Sequence, residues 1–144
     1  IEEGIVAGGG TAFIKAAEKV KMHKATVGLV GSEMEVGYNI VLKALESPLR
    51  QIAMNSGKED GSVIVEKVKM MKGNGGYDAW NDKMEDDMIK VGIIDPVKVT
   101  RTAIQNAASA AAILLTTEVA IADEPKEEKP EMPAGMGGGM GGMY

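Results

Sequence analysis

The sequence contains no cysteine at all and a single histidine, His23. Without a thiol there is no disulfide framework, no thiolate metal site and no cysteine nucleophile. One histidine excludes a zinc cluster of the His-rich type. Aromatic residues are almost as scarce, with one Trp, one Phe and three Tyr. A core must therefore rest on Ala, Val, Ile, Leu and Met, which suits closely spaced helices. No apolar run approaches the ~20 residues that span a bilayer. Positive charge is in deficit: the net charge is −5, with lysines scattered among more numerous acids. That balance argues against nucleic acid and anionic membrane surfaces as partners. The N-terminus carries neither a Met nor a signal-peptide pattern, and the opening Ile1-Glu2-Glu3-Gly4 reads as that of a fragment.

What is present is enough for about one domain: 144 residues, of which 44% are apolar. The glycines at 8–10 follow a short apolar piece, and Thr11 stands where a helix N-cap belongs. Phe13, Ala16, Ala17 and Val20 continue at helical spacing, which predicts a helix from 11 into the low 20s. Gly28 and Gly31 break the pattern that follows. A stronger helix is predicted from Glu33, with Val36, Ile40, Val41, Ala44 and Leu45 as its apolar stripe. Ser47 and Pro48 read as N-cap and first residue of the next helix, and Gly57 as its C′ residue. Ser62 is a further cap candidate, with Val63, Ile64, Val65 and Val68 behind it.

Three glycines within 72–78 call for positive φ and close backbone approach. A short helix is predicted over 82–91, closed by Gly92. Asp95-Pro96 reads as an N-cap and first position of another helix, running to about Leu115. Its Ala-rich stretch at 107–112 lets another backbone come near. Residues 116–122 alternate and are partly β-branched, which predicts a strand whose partner lies in missing sequence or another subunit, although 77–80 supplies a short candidate. From Asp123 onward the charged, proline-containing segment and the Gly/Met tail are expected to be disordered.

Several of these segments resemble group I (GroEL-type) chaperonins, in the family's order. They are Val6-Ala7-Gly8-Gly9-Gly10-Thr11-Ala12, Ser47-Pro48-Leu49-Arg50-Gln51-Ile52, Gly76-Tyr77-Asp78-Ala79, Gly92-Ile93-Ile94-Asp95-Pro96, Lys98-Val99-Thr100-Arg101 and the Gly-Gly-Met tail. The resemblance covers essentially the whole chain. It implies a mainly α, multihelical fragment of the chaperonin equatorial domain, with a short C-terminal β-strand and a disordered Gly/Met tail. Residues 1–122 are expected to be the C-terminal half of that ATP-binding, ring-contact domain, and 123–144 the linker and tail.

The resemblance also implies residue roles. Gly9 matches the glycine whose backbone lies against the nucleotide, Asp78 and Ala79 the pair beside the adenine, and Asp95 the aspartate that binds the ribose hydroxyls. Many relatives have Asn where Asp78 stands. Another departure is the interval from Tyr77 to Asp95, one residue longer than in the commonest relatives, with the extra residue around Glu85–Asp87. It bears on the contact made by Trp80 more than on Asp95.

ATP or ADP is the implied ligand, with Mg and K ions held by residues outside this segment. The phosphate loop and the water-activating aspartate are absent, so the isolated segment is expected to be inactive. Implied partners are a homo-oligomer of seven-membered rings, usually stacked in pairs, with unfolded proteins and a GroES-type co-chaperonin bound through other domains. The implied compartment is the bacterial cytoplasm, with an organelle matrix as the alternative.

Plainer readings exist for each residue. The three glycines lack the Gly-Lys-Ser/Thr of a P-loop, Asp95 before Pro is an ordinary cap, and Asp78 is an ordinary turn residue. Glu85-Asp86-Asp87 reads as a solvated face, because consecutive helical carboxylates diverge. His23 reads as a surface residue, and Met136, Met140 and Met143 as part of a flexible tail. The competing function is a non-enzymatic helical interaction module without a nucleotide site. A stand-alone small-molecule enzyme lacks an evident nucleophile, metal cluster or acid–base pair. Whether Gly9, Asp78–Ala79 and Asp95 gather around one cleft discriminates the first two.

Overall fold

The structure is a computed structural model that describes residues 2–26, 31 and 33–124. In chain order the elements are β1 (Ile5–Ala7), α1 (Thr11–Thr26), α2 (Glu33–Ala44), α3 (Ser47–Asn55), α4 (Ser62–Met70), β2 (Gly76–Asp78), β3 (Lys83–Glu85), β4 (Ile94–Pro96) and α5 (Val97–Leu115). Two small antiparallel sheets join them, β1 with β4 and β2 with β3. The molecule is mainly helical, as the aliphatic composition and helical periodicity led one to expect.

The core is small and lies where α1, α3, α4 and β2 meet. Ile14, Leu49, Ala53, Ile64, Val65, Val68 and Tyr77 are buried together, with Ala79 and Met84 packed against them. Lys15 fastens α1 to the end of α4: its ammonium donates to the carbonyls of Val68 (2.7 Å) and Met71 (2.5 Å). A cation there satisfies carbonyls that a helix C-terminus leaves unpaired. On the other side, Glu46 accepts from Arg50 at 2.9 Å and from Lys69 at 2.7 Å, tying the start of α3 to α4.

α3 ends in a Schellman motif. The Gly57 N–H donates to Met54 O and the Lys58 N–H to Ala53 O. Gly57 has φ +91°, the left-handed conformation expected of a C′ glycine.

Several expected caps take other positions. Thr11 is the first residue of α1, and its buried hydroxyl has no hydrogen-bond partner among the described residues. Ser47 is inside α3, with Glu46 at the N-cap position. Ser62 likewise begins α4 from within, and its N–H is capped by the Asp60 carboxylate at 2.8 Å. In each case the turn starts one or two residues earlier than the hydroxyl residue, so the side chain cannot fold back on the first free amides.

The helix predicted over 82–91 is replaced by β3 and a run of turns. Asp82 adopts φ +52°, which no α-helix can contain. Its carboxylate holds that conformation by accepting from Tyr77 Oη at 2.9 Å and Lys58 Nζ at 2.7 Å. Tyr77 then pairs with Met84 across the hairpin. Ile94–Pro96 is extended as well, because it pairs with β1. Asp95 is therefore not the N-cap of α5 and Pro96 is not its first residue; Pro96 takes the cap position and Val97 opens the helix.

The strand predicted over 116–122 is absent. Thr116 closes α5 through carbonyls of Ala112 and Ile113, and residues 117–124 are irregular and exposed. A strand needs a neighbouring edge, and among the described residues none lies beside this segment. The segment 77–80 instead contributes to the β2–β3 hairpin. The tail from 125 onward lies outside the described residues.

Two helices carry apolar side chains that nothing in the described chain covers. On α2, Val36, Ile40 and Val41 are exposed; on α5, Val99, Ile113, Leu114 and Leu115 are. Neither helix has a buried residue.

Candidate nucleoside site

The turn at Gly8-Gly9-Gly10 is positioned by β1 on one side and α1 on the other. The Gly8 N–H donates to Ile93 O at 2.9 Å, extending the β1–β4 pairing in which Val6 faces Asp95. The three glycines serve different ends. A Cβ on Gly8 would stand 3.0 Å from the Ile94 backbone, and one on Gly10 would stand 2.8 Å from Leu49 N. Those two are required by packing. Gly9 has φ +64°, and a Cβ there would meet nothing closer than 3.4 Å. It is only half-buried, so its outer face remains approachable.

Gly9 also connects the predicted residues. Its Cβ position lies 3.6 Å from Tyr77 O and 3.8 Å from Ile93 Cγ2. Tyr77 immediately precedes Asp78 on β2, and Ile93 stands two residues before Asp95. The structure thus sets the glycine turn against the segments that carry Asp78, Ala79 and Asp95. Met88, fully buried, fills the space beneath: its Cε is the atom nearest the Gly9 Cβ position. Sequence reasoning, which read 82–91 as a short helix, did not single out Met88; the turns that bury it come from the tertiary structure.

The side chains differ in what they offer. Asp95 is half-buried, and its carboxylate has no hydrogen-bond partner among the described residues. It retains all its acceptor capacity. Asp78 is buried and engaged: Oδ1 accepts the N–H of Trp80 (3.0 Å) and of Asn81 (3.1 Å), and Oδ2 accepts Asn81 Nδ2–H at 2.7 Å. These donors, Asn81 foremost, hold its carboxyl below the usual carboxylate range. Ala79 is half-buried and presents only a methyl group, while Trp80 beside it is 94% exposed.

Two shallow grooves lie elsewhere. One, of about 200 Å³, runs between α1, α2 and α4 past Ala17, Lys21, Leu42 and Glu46. The other is formed by Glu2–Gly4 with Pro96, Lys98 and Val99. Ion pairs flank the second, Lys98 with Glu2 at 2.5 Å and Arg101 with Glu3 at 2.6 Å. Among the described residues no three His, Asp or Glu side chains gather as they would around a metal ion, and no helix is long and apolar enough to cross a membrane.

The described residues thus form a helical body with a small aliphatic core, a glycine turn clasped by two distant segments and two helix faces left uncovered. Residues 1–125 match the family model of the TCP-1/cpn60 chaperonin family, and the chain belongs to that family. A chaperonin-type role in protein folding goes with that membership.

Proposed function

We propose that this chain is the C-terminal half of a chaperonin equatorial domain and supplies the nucleoside side of its ATP pocket. Residues 1–122 are the domain portion and 123–144 the linker and tail. The observation that carries this reading is the packing of Gly9 against Tyr77 and Ile93, which gathers segments nearly ninety residues apart in the chain. Gly9 lends its backbone to the nucleotide, which its left-handed conformation at φ +64° lets the turn present. The Asp95 carboxylate, without a partner among the described residues, accepts from the ribose hydroxyls. Ala79 gives the base an apolar contact. Phosphate, Mg and K ions are handled by other parts of the subunit, which here contribute no step.

In the same reading, the bare faces of α2 and α5 and the irregular segment after Thr116 are completed by the rest of the subunit and by neighbours in a homo-oligomeric ring. Non-native proteins and a co-chaperonin are engaged through domains outside this chain, in a bacterial cytoplasm or an organelle matrix.

Calorimetric titration of the assembled chaperonin with ADP tests the site. Asp95→Ala removes charge-assisted hydrogen bonds and is expected to raise Kd by about 10- to 150-fold. An unchanged Kd would remove Asp95 from the pocket. The isolated segment is expected not to hydrolyse ATP; Mg-dependent turnover by purified segment, free of contaminating chaperonin, would contradict this.

A further inference from the structure

Asn74 is the one asparagine of five that a glycine follows. The backbone nitrogen after an asparagine can attack that side chain's carbonyl carbon, and the missing Cβ of glycine leaves the approach open. Asn74 is exposed, and its side chain makes no hydrogen bond among the described residues. The other asparagines precede Ile40, Ser56, Asp82 and Ala107, whose side chains crowd the same path.

The fold holds the reacting peptide unit at both ends. Asn74 O accepts the Met88 N–H at 3.1 Å, and the Gly75 N–H donates to Lys72 O at 3.1 Å. Those two groups belong to one planar unit. Turning the Gly75 nitrogen toward the side chain therefore breaks both bonds together. Met88 is fully buried beneath the glycine turn, and Gly75 is buried as well. Release of this unit is a local unfolding event and not a loop fluctuation.

We propose that Asn74 is a self-modification site, latent while the turn at 72–76 is docked on Met88 and reactive when that turn opens. The Gly75 nitrogen loses its proton to solvent and bonds to Asn74 Cγ, and the side-chain nitrogen leaves as ammonia. Water then opens the cyclic imide. Opening at Cγ gives aspartate with the chain path unchanged. Opening at the backbone carbonyl carbon reroutes the chain through Cγ as isoaspartate. Water is added and ammonia is lost, so the balance needs no other reactant. The inference is independent of the nucleotide reading.

The isoaspartate form carries one extra carbon in its main chain, and the packing has no space for it. A Cβ on Gly75 would lie 2.9 Å from Met71 Cβ, and one on Gly76 would overlap Thr11 Oγ1. Displacing this entry into β2 costs contacts of a filled interior. A chain modified while open returns to the fold less stable than before.

The test uses the assembled chaperonin and the same protein unfolded in urea, both incubated in heavy-oxygen water and mapped by peptide mass. In the unfolded chain, the Asn74 peptide is expected to gain a solvent oxygen and lose its amide nitrogen faster than any other asparagine peptide. In the assembled protein the conversion is expected to be at least about tenfold slower, matching the protection that amide exchange reports for Gly75 and Met88. Gly75→Ala, measured in urea where its clash with Met71 plays no part, is expected to slow the reaction several-fold, and Asn74→Gln to abolish it. Isoaspartate-containing protein, separated by chromatography, should melt below Asn74→Asp, which has the same charge without the inserted carbon. Reaction at Asn74 no faster than at Asn55 or Asn81 in urea would overturn the site. Equal rates in the assembled and unfolded protein would overturn the gate, and equal melting would overturn its structural consequence.

Discussion

Gly76 and Thr11 meet so closely that a methyl group between them is impossible. A Cβ on Gly76 would lie 2.2 Å from Thr11 Oγ1 and 2.7 Å from Met88 Cγ. This contact presses the β2 segment onto the first turn of α1, one residue past the glycine turn of the candidate site.

Gly76→Ala is accordingly expected to destabilise the protein by about 1–3 kcal/mol, the range for overpacking a filled interior. Thr11→Ala removes the clashing oxygen and a buried hydroxyl that has no partner among the described residues, so the double variant should recover part of the loss. A double-mutant cycle by urea denaturation measures the coupling, and strictly additive effects would contradict the contact.

Gly9→Ala and Gly10→Ala should separate in their effects. Gly10 has φ +78°, and its Cβ would strike the Leu49 backbone at 2.8 Å, so folding itself suffers. At Gly9 there is room for the methyl group, and the cost reduces to a left-handed residue, about 1–2 kcal/mol. Nucleotide affinity should nevertheless fall in Gly9→Ala. Thermal denaturation paired with ADP titration distinguishes the two outcomes.

Leu49→Ala removes a fully buried side chain from the meeting point of α1, α3 and α4. A loss of about 2–5 kcal/mol is expected, from lost burial and the cavity left behind. The midpoint of urea unfolding reports it, with m unchanged.

Acid should weaken the β2–β3 hairpin. Asp82 is held below its ordinary value first by the hydrogen bond from Lys58 and then by that from Tyr77, and Asp78 first by the Asn81 side chain. A carboxylate with a depressed folded-state pKa contributes fully above its unfolded value, and the contribution is lost as pH falls through the folded one. Stability should therefore be level above about pH 5 and decline below roughly pH 4. Asp82→Asn should flatten that decline in thermal melts recorded from pH 6 to pH 3.

The apolar stripe of α2 and the Leu114–Leu115 end of α5 should make the isolated segment self-associate. Sedimentation velocity at increasing concentration reads this, and Leu114→Lys with Leu115→Lys should shift the distribution toward monomer. An unchanged monomer distribution in both forms would show the faces to be inert.

The sequence by itself determined which stretches become helix wherever apolar residues recur at helical spacing, as along α2, α4 and α5. It also determined the Gly57 C-cap and the family, whose motifs lie in a fixed order. Local pattern was sufficient there because the interactions that decide those features lie within one or two turns of chain. Residues 82–91 and 94–96 were decided only by tertiary structure. Asp82 takes a left-handed conformation because Lys58 and Tyr77 hold its carboxylate, and Asp95 is extended because β1 pairs with it. Tyr77 is only five residues from Asp82, but Lys58 is 24 residues away, and Val6, which faces Asp95, lies at the other end of the chain. The strand expected at 116–122 failed for the same reason in reverse, since alternation is a statement about one face and pairing requires a second edge. Whether a carboxylate is free or engaged, which separates Asp95 from Asp78, likewise depends on which donors the folded chain delivers to it.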